Sequence, residues 1–282
     1  MKTVERVEAL REAVAGLRAD GRMAFVPTMG NLHAGHLTLV REARRHADSV
    51  VVSIFVNPLQ FGPNEDLDKY PRTLEADRRA LEAEGVDLLF APPVEVMYPV
   101  SLEQQTRVEV PEISALHCGA SRPGHFAGVA TVVCKLFNMV QPDLAVFGKK
   151  DYQQLLVIRR MVRDLAMPVE ILGVDTVRES DGLAMSSRNQ YLDAAERRIA
   201  PRLYATLCAA ADRVAGGGRD WDRLADWIRG ELDSAGFRTD YAVVVDAATL
   251  LPPTDRSDRL VILVAAWLGK ARLIDNLEME IK

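Results

Sequence analysis

Phe25-Val26-Pro27-Thr28-Met29-Gly30-Asn31-Leu32-His33-Ala34-Gly35-His36 opens as a short apolar strand and closes at the start of a helix. Pro27, Thr28 and Gly30 break regular pairing and favour a turn. Leu37-Thr38-Leu39-Val40-Arg41-Glu42-Ala43 follows with good helix-forming composition. Two histidines and two glycines therefore stand where a strand hands over to a helix. In an open α/β sheet the crevice beyond the carboxyl end of a strand is the usual ligand site. The N–H groups of a helix start attract anions, phosphate above all. Two imidazoles add donors that a glycine loop alone lacks.

The neighbouring sequence extends this into a sheet. Val50-Val51-Val52-Ser53-Ile54-Phe55-Val56 is apolar and β-branched with little alternation, as in a central parallel strand covered on both faces. It stops at Asn57-Pro58-Leu59-Gln60-Phe61-Gly62-Pro63, which reads as a loop. Strand, helix, strand and loop make the first half of a doubly wound sheet. Val7, Leu10, Val14 and Leu17 place an amphipathic helix before it, with the first strand at 23–26. Thr73 is positioned to cap a helix to about residue 84, and 86–90 reads as a short strand. Residues 106–110 alternate, as an edge strand or an extended loop. Ser121-Arg122-Pro123-Gly124-His125-Phe126-Ala127-Gly128 is a polar, glycine-rich loop before a helix over 129–140. A strand over 143–147, a helix over 152–165 and a strand over 169–174 continue the alternation.

The texture changes near Val177. Asp181-Gly182-Leu183-Ala184-Met185-Ser186-Ser187-Arg188-Asn189 is a polar loop. Asp193-Ala194-Ala195-Glu196 has capping-box form and starts a long helix to about residue 214. Gly216-Gly217-Gly218 breaks it, and a second helix covers 221–232. Three strands over 241–245, 259–265 and 272–274 close the chain. Helices followed by strands form an α+β unit. The expected fold is a Rossmann-like, doubly wound parallel sheet over 1–176, with a smaller α+β C-terminal domain over 177–282.

Composition limits the partners. The 282 residues carry a formal net charge of -5, so nucleic acid finds no basic footprint. The three cysteines, Cys118, Cys134 and Cys208, form neither a disulfide framework nor a Cys-x-x-Cys pair. The charged start lacks the apolar core of a signal peptide. No apolar run approaches the roughly 20 residues that span a bilayer. A cytoplasmic protein without a membrane partner is expected.

Four further features bear on chemistry. Phe147-Gly148-Lys149-Lys150-Asp151-Tyr152-Gln153-Gln154 is a second strand end and helix start, where lysine can sit on phosphate. Met185-Ser186-Ser187-Arg188 supplies two hydroxyls and a guanidinium, which suit a polyphosphate. Gln60 and Gln154 place uncharged amides at strand mouths, able to orient a hydroxyl or carboxylate. Arg122 and His125 share a glycine-rich loop, whereas His46 and His117 read as surface or turn residues. His33-Ala34-Gly35-His36 lacks a nearby third ligand at zinc spacing, which favours phosphate over metal. On the residues alone these features point to phosphate or polyphosphate binding, with a nucleotidyltransferase that releases a stable nucleotide product and a non-catalytic nucleotide- or RNA-binding module among the readings left open.

The chain resembles the pantothenate synthetase (pantoate–β-alanine ligase) family over essentially its whole length. The resemblance rests on Pro27 through His36 as quoted, Ile54-Phe55-Val56-Asn57-Pro58-Leu59-Gln60-Phe61, Ser121-Arg122-Pro123-Gly124-His125-Phe126 and Lys150-Asp151-Tyr152-Gln153-Gln154. It also rests on the 181–189 loop, Val264-Ala265-Ala266-Trp267-Leu268-Gly269 and Arg272-Leu273-Ile274-Asp275-Asn276. It implies a Rossmann-like domain, a smaller C-terminal domain, a homodimer and Mg-ATP. It implies that pantoate is activated as an adenylate, with release of pyrophosphate, and is then taken by β-alanine, with release of AMP. Met29, Gly30, Asn31, Leu32, His33, Ala34, Gly35 and His36 would line the ATP site. Gly148, Lys149, Lys150, Asp151, Val177, Met185, Ser186, Ser187 and Arg188 would complete it. His36, His33, Lys150 and Arg188 would act on the phosphates, and Gln60 and Gln154 would bind pantoate, with Gln60 also near β-alanine. Lys149 departs from the acidic residue common in the family. Met185 exchanges mildly with leucine in relatives. A protein ligand for magnesium is harder to carry over, and Asp77 is a candidate.

Overall fold

The computed structural model describes residues 1–62, 65 and 67–281. Pro63, the end of the expected 57–63 loop, lies outside them. The chain forms two compact units. The first comprises Met1–Ala115, Arg122–Lys149 and Gln154–Asp175, and the second Leu116–Ser121, Lys150–Gln153 and Thr176–Lys282.

The first unit is built on β1 (Lys2–Val4), α1 (Val7–Ala19), β2 (Met23–Thr28), α2 (Ala34–His46) and β3 (Ser49–Ile54). It continues through α3 (Leu74–Ala83), β4 (Leu88–Phe90) and α4 (Val94–Met97). After a short α5 (Cys118–Ser121) in the second unit come α6 (His125–Val140), β5 (Leu144–Gly148), α7 (Tyr152–Asp164) and β6 (Glu170–Val174). All strand pairs are parallel, in the order β1-β4-β3-β2-β5-β6. The chain walks outward from β2 to β3 and β4, then returns to the other side of β2 for β5 and β6. The switch point therefore lies between β2 and β5. The β2 ladder to β3 runs through Thr28, but its ladder to β5 carries only Ala24 and Phe25. Pro27 sits beyond the end of that second ladder, where its missing N–H costs no bond.

Both faces of the sheet are covered. Ala24, Val26, Val50, Val52, Leu89 and Val146 pack with Val40, Ala43 and Leu81 from α2 and α3. On the other face Phe137 of α6 meets Phe25 and Phe147 edge to face, each at 6.4 Å between ring centroids. This double coverage explains the unalternating valines of β3. Among the described residues no helix is long and apolar enough to cross a membrane.

The second unit adds α8 (Ala194–Ile199), α9 (Arg202–Ala215), α10 (Trp221–Ser234), β7 (Arg238–Asp246), β8 (Arg259–Leu268) and β9 (Ala271–Glu280). The three strands form an antiparallel sheet in the order β7-β8-β9. Leu203, Leu207, Leu224, Ile228, Val244, Ile262 and Leu273 form its core.

Several boundaries differ from the sequence reading. β1 has no counterpart there: three residues carry no period, and their partner strand β4 is distant in sequence. Of the two alternatives for residues 106–110, the structure shows the loop and no strand. The loop expected through Gly128 gives way at His125, where α6 begins after Gly124 in the left-handed region at φ 82°. Thr73 precedes α3 without a side-chain cap; its hydroxyl donates to Asp77 instead. The long helix expected from 193 to 214 is two helices, because Pro201 has no N–H to continue α8 and instead precedes α9.

Within the second unit His117 sits in a left-handed turn (φ 41°), its Nε2 2.9 Å from the Leu250 carbonyl oxygen. Burial lowers the ring's affinity for a proton, partly offset by that carbonyl. Such a group binds its proton less readily when folded than when unfolded. Stability is therefore lost as pH falls below about 6.5, toward the folded value. Thermal melting between neutral pH and pH of about 5.5 is expected to show this loss, and a His117→Gln variant a smaller one.

Candidate functional site

At the carboxyl end of β2 the chain makes a turn that few residues can adopt. Gly30 and Asn31 lie in the left-handed region, with φ of 79° and 51°. Glycine carries no penalty there and asparagine a small one. A Cβ on Gly30 would lie 3.0 Å from Ile54 Cγ2 and 3.1 Å from Asp77 Oδ2. Two N–H groups of this turn converge on one carboxylate: Asn31 N donates to Asp77 Oδ2 at 2.9 Å and Leu32 N to Oδ1 at 2.8 Å. Thr73 Oγ1 donates to Oδ2 at 3.1 Å. Asp77 is 3% exposed and lies in the first turn of α3, where the helix N-terminus favours its charge. Thr28 adds a lock, its hydroxyl donating to the Ser53 carbonyl and accepting from Gly30 N.

The turn delivers His33 to the N-cap of α2. Its Nδ1 accepts from Gly35 N at 3.2 Å, while His36 Nδ1 accepts from His33 N at 3.3 Å. This is a capping box made of two histidines. An Nδ1 that accepts from a backbone N–H carries no proton, so in the neutral rings the proton sits on Nε2. The two rings lie 4.1 Å apart, centroid to centroid, and present Nε2–H donors beside the N-terminus of α2. Both Nδ1 atoms serve the cap, and among the described residues no group of three His, Cys, Asp or Glu is arranged to hold a metal ion. Asp77 accepts three hydrogen bonds from the protein, which fits a structural carboxylate rather than a magnesium ligand.

Gln60 closes the β3 side. It is 8% exposed, its Oε1 accepting from Asn57 Nδ2 at 3.0 Å and its Nε2 lying 2.9 Å from Met29 Sδ. Met29 and Gln60, read separately in the sequence, are thus neighbours. Asn57 is fully buried and satisfied, accepting from Tyr98 Oη and Leu59 N and donating to the Gly128 carbonyl. Burial pushes the Tyr98 phenol above its ordinary value, which keeps it a donor. A Cβ on Gly128 would lie 2.2 Å from the Leu59 carbonyl oxygen, so only glycine lets α6 approach this turn. Beneath it, His125 Nδ1 is 2.8 Å from the Gln60 carbonyl oxygen, and Arg122 donates to the same oxygen at 3.3 Å. Arg122 is also paired with Glu65. Burial opposes the charge on Glu65, but Arg122 outweighs it and holds the carboxyl below its ordinary value. Sequence reasoning does not single out Asn57, Asp77 or Gly128 for this role; only Asn57 and Gly128 stand inside quoted motifs.

At the end of β5, Gly148 is half-buried, and Lys149 pairs with Asp175 at 2.7 Å, a use of its charge within the first unit. Gln154 is half-buried on the first turn of α7, whereas Gln153 is buried and spends its amide on Cys118 N and the Leu116 carbonyl.

In the second unit Lys150 is half-buried, with Nζ 3.9 Å from the exposed Asp151 carboxylate. Val177 accepts from Met185 N at 2.9 Å, and Arg178 bridges to Ala184. These contacts close a hairpin whose tip is 179–183. Ser186 caps the helical turn Ser187–Tyr191, its Oγ accepting from Arg188 N. Asn189 ties this turn back to Glu179 and the Ala184 carbonyl. Arg197 of α8 pairs with both Glu179 and Asp181, and its hydrogen bond holds Asp181 below the ordinary carboxylate value. The Arg178 guanidinium grips Asp275 through two bonds of 2.6 and 2.9 Å and lies 3.4 Å over the Tyr204 ring.

Residues 2–278 match the sequence model of the Pantoate-beta-alanine ligase family. The chain belongs to that family. A pantothenate synthetase of Pseudomonas fluorescens is 58% identical over 282 residues, covering 100% of this chain and 99% of its own. The crystal structure of pantothenate synthetase from Thermus thermophilus superposes with a TM-score of 0.91 at 54% identity, covering 98% and 99% of the two chains. A pantoate-beta-alanine ligase from Francisella tularensis, complexed with beta-gamma ATP and beta-alanine, reaches a TM-score of 0.82 at 34% identity over 98% and 97%. Doubly wound sheet, small antiparallel sheet and family membership all agree with the sequence reading.

Asp77→Ala leaves two turn N–H groups without their acceptor. It is expected to destabilise the protein by at least about 2 kcal/mol in urea unfolding, with activity lost as the turn relaxes.

Proposed function

We propose that this chain joins pantoate to β-alanine in an ATP-dependent, AMP-forming reaction that passes through pantoyl adenylate. Full-length family membership supports the substrates. The paired histidine donors at the sheet's switch point carry the chemistry, because they stand where charge must be stabilised. A pantoate carboxylate oxygen attacks the α-phosphorus of ATP, the bond from that phosphorus to the bridging oxygen breaks, and pyrophosphate leaves. The β-alanine nitrogen then attacks the acyl carbon, the carbon–oxygen bond breaks, AMP leaves, and the amine's proton passes to solvent. Adenylation needs positioning and charge stabilisation more than a protein nucleophile.

On this reading His33 and His36 donate from Nε2 to phosphate oxygens. Met29, Gly30, Asn31, Leu32, Ala34 and Gly35 line the nucleotide's approach. Lys150 and Arg188 place positive charge on the phosphates, with Ser186, Ser187 and Met185 in the same loop. Gly148, Lys149, Asp151 and Val177 lie by adenine and ribose. Gln60 and Gln154 orient pantoate, and the clamp of Asn57, Arg122 and His125 holds Gln60 in place. Mg2+ enters as part of Mg-ATP. Asp77, the carboxylate that sequence reasoning offered it, already accepts three hydrogen bonds in the turn and does not fit that role, and phosphate oxygens and water would supply the ion's ligands. Action in the cytoplasm, as the composition suggests, and as a homodimer, as the family resemblance implies, completes the reading.

Labelled pyrophosphate is expected to enter ATP when pantoate is present and β-alanine absent. Adding β-alanine should then yield AMP; ADP and phosphate instead would overturn the adenylate route. His36→Ala is expected to lower turnover at least about 100-fold, the scale of losing one preorganised donor. Thermal melting separates this from loss of the cap, which costs about 1 kcal/mol.

A further inference from the structure

The Asp275-Asn276 pair closes the last sequence motif, yet nothing above assigns it a part. Both residues are buried polar side chains, 3% and 7% exposed, in the middle of β9. Successive strand residues point to opposite faces. Asp275 shares its face with Leu273, Leu277 and Met279, which pack on the apolar core of the unit. A lone carboxylate there would be costly. Arg178 neutralises it bidentately, and also donates to the Gly182 carbonyl at 3.1 Å. Arg178 therefore fixes the base of the hairpin that leads into Met185, Ser186, Ser187 and Arg188.

Asn276 lies on the other face with Glu278. Its Nδ2 donates to the Lys150 carbonyl at 2.9 Å, and Glu278 accepts from Tyr152 Oη at 3.2 Å. That face of β9 therefore holds the Lys150 turn. Asp275 Oδ1 also accepts from the backbone N–H of Asn276 at 2.8 Å, which ties the Asp275 side chain to the backbone that carries Asn276. Two segments that are far apart in sequence are anchored to adjacent residues of one strand.

We infer that Asp275 and Asn276 are positioning residues for ATP, setting the Lys150 turn and the Ser186–Arg188 loop in a fixed relation within the C-terminal unit. This rests on the assignment of Lys150 and the loop to the phosphates. Neither residue touches substrate on this account. Both act through the backbone they hold, and misplacing a charge by a fraction of a bond length weakens its action on a phosphate.

The test compares four variants with the parent enzyme in initial-rate assays against ATP, pantoate and β-alanine, alongside thermal melting. Asn276→Ala removes the tie to Lys150. Asn276→Ser keeps a donor. Arg178→Lys keeps the charge that Asp275 needs but not the fork, and so avoids stranding a buried carboxylate. Lys150→Ala removes the phosphate ligand itself. Asn276→Ala and Arg178→Lys are each expected to lower kcat/KM for ATP about tenfold, with the KM values of pantoate and β-alanine within about twofold. Asn276→Ser should recover part of the loss. A purely structural role would lower the melting temperature and leave the ATP parameters of the folded enzyme unchanged, which overturns the inference. If Lys150→Ala is impaired with ATP while Asn276→Ala and Arg178→Lys are not, the inference falls and the phosphate assignment stands. If Lys150→Ala is also unimpaired, both fall.

Discussion

The carboxylate of Asp77 is the constraint on which the first unit's site depends. A turn with two successive left-handed residues aims its N–H groups inward, where they need an acceptor. Asp77 supplies both oxygens, one to Asn31 and one to Leu32, and is itself held by Thr73 and by the start of its own helix. Without it the chain leaving β2 has no reason to prefer this path. With it, His33 arrives at the N-cap of α2 in extended conformation, at φ -129° and ψ 174°.

From that position the histidines do two jobs with different atoms. The Nδ1 atoms satisfy helix-start N–H groups that would otherwise be orphaned, and on the proposed reading the Nε2 atoms are the donors to phosphate. Serine and glutamate would cap the helix equally well but would not present two ring donors. The requirement of the fold and that of the proposed chemistry thus fall on the same pair of side chains. The opposite wall follows a similar logic. Gln60 is gripped at its side chain by Asn57 and at its carbonyl by His125 and Arg122, so the amide proposed to meet pantoate is already oriented. Preorganisation of this kind reduces what binding must supply in ordering.

How much of this is legible in the sequence depends on how local each cause is. The unalternating valines of β3 and the Asp193 capping box carry their signal within a few residues and appear where the sequence placed them, whereas the turn after β2 starts two residues later than read, because Pro27 and Thr28 still pair with Ser53 and Ile54. The division of α8 from α9 is also written locally, in Pro201, but the apolar spacing that continues across it masks the break. β1 carries no such signal, since three residues become a strand only through β4. The supports of the site are harder still. Asp77 resembles an ordinary solvated carboxylate on a helix, Gly128 resembles part of a loop, and Asn276 resembles a polar residue in a strand. Their partners are Asn31, Leu59 and Lys150, each distant in sequence. Sequence therefore offers the residues proposed to face a ligand, while the residues that hold them in place need the fold.

The central claim is that the carboxylate of one substrate becomes bonded to the α-phosphorus of ATP. The most direct measurement uses pantoate whose carboxylate carries a heavy oxygen isotope, with mass analysis of the nucleotide after turnover with β-alanine. The account predicts one labelled oxygen in the phosphate of AMP, because the bridging oxygen of the adenylate leaves with it. Unlabelled AMP, or label in inorganic phosphate, would contradict it.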